Sequence, residues 1–72
     1  MFQTMTFQKY EGSAVEGVVR FHPGSDHSKV LGWAEISHNR NGVVIIDSAK
    51  LSNDQRRAVL NFAATGKMEV LD

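Results

Sequence analysis

The chain has no cysteine, one proline, one tryptophan, one tyrosine and no surplus of charge. Without cysteine there are no disulfides, no thiolate zinc sites and no thiol nucleophile. Its 72 residues make one domain, residues 1–72, and a domain that small buries a modest fraction of its surface. Small scaffolds often gain stability from disulfides or a metal, and the first route is closed here. Lys plus Arg and Asp plus Glu both total 8, so the formal net charge is zero. An overall basic field that draws proteins to nucleic acid is absent, and only a local basic face remains open. No segment reaches the roughly 20 apolar residues of a membrane helix. The opening MFQTMTFQKY has no basic stretch followed by an apolar run, which argues against a secretion signal. A cytoplasmic location is expected, in keeping with the lack of cysteine.

What is present reads mainly as strand. Phe2 to Tyr10 is rich in Thr and Phe and is broken by Glu11-Gly12-Ser13. Val15 to His22 alternates: Val15, Gly17, Val19 and Phe21 fall on one face, and Glu16, Val18, Arg20 and His22 on the other. Pro23-Gly24-Ser25-Asp26 ends it with a turn. Val30 to Ser37 and Val43 to Asp47 flank Asn39-Arg40-Asn41-Gly42, a hairpin signal because Asn and Gly tolerate positive φ. The expected turn lies at Asn41-Gly42. The expected register puts Ala34, Ile36, His38, Val43, Ile45 and Asp47 on one face. It puts Trp33, Glu35, Ser37, Val44 and Ile46 on the other, with His38 facing Ile45 at the sheet end. The run Val43-Val44-Ile45-Ile46 is apolar on both faces, which predicts a central strand or a barrel wall, covered on both sides.

Ser52-Asn53-Asp54-Gln55 fits a capping box, Asp54 suits the first helical turn, and Val59, Phe62 and Ala63 follow helical spacing up to Thr65-Gly66. These signals predict a helix over about residues 53–65. A rival strand reading would alternate Ala58, Leu60 and Phe62. Met68 to Leu71 reads as a last strand in either case. The fold class is therefore a small β-rich α+β domain: an antiparallel sheet or OB-like barrel of four to five strands with one short helix near the C-terminus.

Motifs with chemistry are sparse. His22, Asp26 and His27 cluster around a turn and include zinc-ligand types, but a fourth ligand is missing and a polar solvated turn accounts for them. No metal and no cofactor is expected. Ser48, Asp47 and His38 could supply a nucleophile set, yet no Gly-x-Ser-x-Gly elbow surrounds a serine, and adjacent strand residues point to opposite faces. A non-enzymatic protein is expected. Lys50, Arg56, Arg57 and Lys67 read as a solvated helix surface.

From Gly17 onward the chain resembles the cold-shock domain, a five-stranded OB-type barrel that binds single-stranded RNA or DNA. Gly17-Val18-Val19-Arg20-Phe21-His22 stands where the family has Gly-x-Val-Lys-Trp-Phe. Lys29 to Ile36 stands for the first ribonucleoprotein motif, Val44-Ile45-Ile46-Asp47 for the second, and Leu51 to Gln55 for the later Leu-x-x-x-Gln. The second motif's Phe and His are replaced by Ile45 and Asp47, which removes a stacking ring and adds a charge that repels phosphate. The resemblance implies a surface of Trp33, Phe21, Arg20, Lys29 and His22 that binds single-stranded nucleic acid. The alternative is a protein-binding regulator or inhibitor of the kind encoded by phages and mobile elements, using exposed apolar groups or a sheet edge. A homodimer paired through a free strand edge is compatible with both.

Overall fold

Four strands follow one another in the sheet in the same order as in the chain, each antiparallel to the last. They are β1 (Gln3–Lys9), β2 (Gly17–Pro23), β3 (Gly32–Asn39) and β4 (Gly42–Ala49), followed by a helix, α1 (Asn53–Thr65). The computed structural model describes residues 2–40 and 42–72. The architecture is an open sheet with one helix laid across one face, the sheet form of the expected β-rich α+β class.

Alternation explains the core. Met5 on β1, Val19 and Phe21 on β2, and Ala34 and Ile36 on β3 turn toward the helix and are buried against Ala58, Val59 and Leu71. Phe7, Ile45, Leu51 and Phe62 pack around them. The Phe7 and Phe62 rings meet at 5.1 Å between centroids, tilted by 52°, a contact worth about 0.5–1.5 kcal/mol beyond its buried area. Gly17 lies beneath the Phe7 ring: a Cβ there would stand 2.3 Å from the Gln8 carbonyl oxygen and 2.7 Å from the ring. No side chain fits that position, so the register of β1 on β2 depends on glycine.

The helix forms where its end signals place it. Ser52 Oγ accepts from the Gln55 backbone N–H at 3.1 Å, and Gln55 Oε1 accepts from the Ser52 N–H at 2.9 Å. Gly66 ends the helix with φ 77, its N–H bonded to the Phe62 carbonyl. The Gln55 side chain also donates to Gln3 Oε1 at 2.9 Å, which ties the helix start to β1. The helix is neither long nor apolar enough to cross a membrane.

In the β3–β4 hairpin Gly42 has the expected positive φ, 112, but it pairs with Asn39 and opens β4, so it is a strand residue and not a residue of the expected turn. The other half of the expected turn, Asn41, lies outside the described residues. Ile36 and Ile45 share the core face, as expected, but the pairing differs: Ile45 stands opposite Ile36 and not His38, which stands opposite Val43.

Three expectations are corrected. The register shifts between Ile36↔Ile45 and Glu35↔Asp47, a bulge that leaves Ile46 unpaired. An extra residue reverses the alternation beyond it, so Asp47 moves from the core face to the face of Glu35 and Trp33. β4 is an edge strand, not a central one, and Ile46 is 49 % exposed; the chain's own helix covers one side of the sheet only. The last strand shrinks to one bridge, in which Gln3 and Leu71 exchange backbone bonds of 2.7 and 3.0 Å.

Candidate functional site

The face of the sheet away from the helix is where chemistry-bearing side chains gather. Two cross-strand rows define it. One runs Thr6–Arg20–Trp33–Ala49, the other Gln8–Val18–Glu35–Asp47. Between them lies a groove of about 400 Å³ lined by Tyr10, Val18, Arg20, Val30, Trp33 and Glu35. Pairing fixes the Trp33 backbone between Arg20 and Ala49, and alternation turns its ring away from Ala34 and the core. Trp33 is half-buried, and Val30 at the groove's rim is 47 % exposed.

Arg20 Nη1 donates to Gln8 Oε1 at 2.8 Å, a neutral partner that positions the guanidinium without neutralising it. Among the described residues Arg57 pairs with Glu69 at 3.1 Å and the His38 ring contacts Glu16; neither contact includes Arg20. Glu35 and Asp47 stand directly opposite one another across β3 and β4. Like charges so placed repel.

Beside the groove, the β2–β3 loop is pinned by a polar network. His22 Nδ1 lies 2.7 Å from the Lys29 carbonyl oxygen, which can only accept, so Nδ1 carries the proton. In the neutral ring Nε2 then accepts from the Thr6 hydroxyl at 2.6 Å. Thr4 donates to the Gly24 carbonyl at 2.7 Å. The His27 ring packs on His22 with centroids 4.6 Å apart. Asp26 accepts from the Ser28 hydroxyl at 2.5 Å and the Ser28 N–H at 3.1 Å. The bond from the Ser28 hydroxyl, then that from its N–H, holds the exposed Asp26 carboxyl below its ordinary range. Among the described residues, no three His, Asp or Glu side chains are grouped to hold a metal ion.

The surface expected from the cold-shock resemblance comes together only in part. Trp33 and Arg20 share the groove. Lys29 is exposed in the loop, where its carbonyl serves His22. Phe21 is fully buried, because its parity on β2 matches Val19 and turns it toward the helix. His22 is 2 % exposed, because both of its ring nitrogens are engaged within the fold. These two are interior residues, not surface ligands. Arg56 and Arg57 sit on the helix, across the sheet from Trp33. Val18, Val30 and Glu35 were not singled out from sequence. The parity that placed Val18 and Glu35 opposite the core was the available signal; Val30, expected on the third strand, lies in the loop before β3, which starts at Gly32. No protein-family model, curated protein or solved structure matches the chain.

Proposed function

We propose that this protein is a non-enzymatic binding module that engages a protein partner through the open face of its sheet. The observation that carries this reading is the convergence of Trp33, Tyr10 and Arg20 on one apolar groove. Those three residue types dominate the energetics of protein interfaces, where a rigid ring and a desolvated guanidinium are the usual anchors. Val18 and Val30 supply the apolar floor and rim, and Glu35 and Asp47 a polar border. A regulator or inhibitor role, acting in the cytoplasm, fits this reading.

Single-stranded nucleic acid is the second reading, favoured by two rings on one face. Against it, the face carries two carboxylates beside Arg20, and Phe21 is withdrawn into the core. Selection from a displayed random peptide library, with counter-selection on Trp33→Ala, separates the two. The protein reading expects enriched peptides with apolar anchors that quench Trp33 fluorescence. No enrichment, together with salt-sensitive quenching by oligothymidylate, would overturn it in favour of nucleic acid.

A further inference from the structure

On the protein-binding reading of the open face, we propose that its partner is a second copy of this chain, packed face to face about a two-fold axis. Three observations support a self-complementary surface. First, the face holds an unneutralised cation, Arg20, next to a facing pair of carboxylates, Glu35 and Asp47. A two-fold axis brings residue i of one copy to residue j of the other and j to i. Arg20 of each copy then meets Glu35 of the other, so two ion pairs form at once and the repulsion on each face is relieved. Arg20 has N–H donors left for this beyond the one given to Gln8.

Second, the apolar residues are on the wrong side for a solvated sheet. An antiparallel sheet with one wet face alternates apolar-in and polar-out. Here Val30 at the groove's rim is 47 % exposed, and the half-buried Trp33 and Val44 continue the apolar character onto β3 and β4, above a Val18 that the chain already covers. Third, the size is right. The molecule measures 37 × 21 × 20 Å, so one broad face offers on the order of the ~800 Å² per partner of a standard interface. A small domain without disulfides has reason to gain stability by association. The strand edges are less suited: β1 is taken by Leu71 at Gln3, and β4 carries the Ile46 bulge, a feature that blunts edge pairing.

The test is sedimentation velocity from low micromolar to near-millimolar concentration, for the unmodified chain, Arg20→Glu, Glu35→Arg and the double charge swap. The unmodified chain should approach twice the monomer mass. Each single swap should weaken association by at least about tenfold, and the double swap should restore it. The Trp33 indole N–H of the unmodified chain should shift with concentration by NMR, a readout that needs no variant to fold. A monomer at every concentration with a fixed indole signal overturns the self-association. If that monomer still selects peptides through Trp33, only the identity of the partner was wrong. A dimer indifferent to all the swaps overturns the face-to-face geometry.

Discussion

The two faces of the sheet obey different rules although the same strands build both. On the helix side, Val19, Phe21 and Ala34 have no exposed surface, and Gly17 admits no added atom. Packing alone determines what stands there. On the open side, Trp33, Tyr10, Arg20 and Glu35 are partly exposed around a groove that the chain leaves unfilled. On the proposed function, these residues serve a partner and the core residues serve the fold. Substitutions at these partly exposed positions and at the core positions should therefore behave oppositely; Val18 and His22, on the open face but 3 % and 2 % exposed, belong with the core.

The largest contrast is expected from Phe21→Ala. Truncating a fully buried Phe costs about 3–5 kcal/mol, out of about 4–11 kcal/mol for a domain of this size. Thermal denaturation should show the variant largely unfolded near physiological temperature. A folded Phe21→Ala with impaired binding would reverse the assignment of the two faces. Gly17→Ala should follow, at about 3 kcal/mol, because overpacking against a backbone oxygen cannot be relieved by a rotamer change. Urea denaturation gives the number, and a neutral result would mean that β1 can lift from β2 with its Phe7 cover.

Ser52→Ala tests the helix that makes one face a core, and should cost about 1 kcal/mol through loss of the cap bond to Gln55. The smallest effect concerns Asp26, in the loop beside the open face. Its folded pKa is depressed, so its contribution to stability is present above the ordinary carboxylate range and is lost as pH falls through the lowered folded value. An NMR titration of the Asp26 carboxyl should show the depressed midpoint, and Ser28→Ala should move it back up. An unchanged midpoint in that variant would assign the shift to the neighbouring His27 and His22 instead.

The core face was readable in sequence because its signals are local. The capping box at Ser52 and Gln55, the Gly66 stop, the alternation of Val19 and Phe21, and Gly42 at the hairpin each act within a few residues. The open face was harder. Its composition depends on the bulge at Ile46, which no residue type announces and which carries Asp47 across the sheet. The family-like motif around Phe21 suggested a surface ring, whereas the parity of the same strand already pointed that ring inward. His22 reads as a solvated turn residue until the fold brings Thr6 and the Lys29 carbonyl to its two nitrogens. Contacts between residues distant in sequence leave little trace in a single chain.

The central claim is that Trp33 serves recognition and not the core. The direct measurement is a thermal melt of Trp33→Ala beside its binding curve for the selected peptide or for the second copy. The variant should melt within a few degrees of the unmodified chain, while binding weakens by about 2 kcal/mol, roughly thirtyfold. A variant that unfolds as Phe21→Ala does, or one that binds undiminished, would contradict the assignment of the open face as the interaction surface.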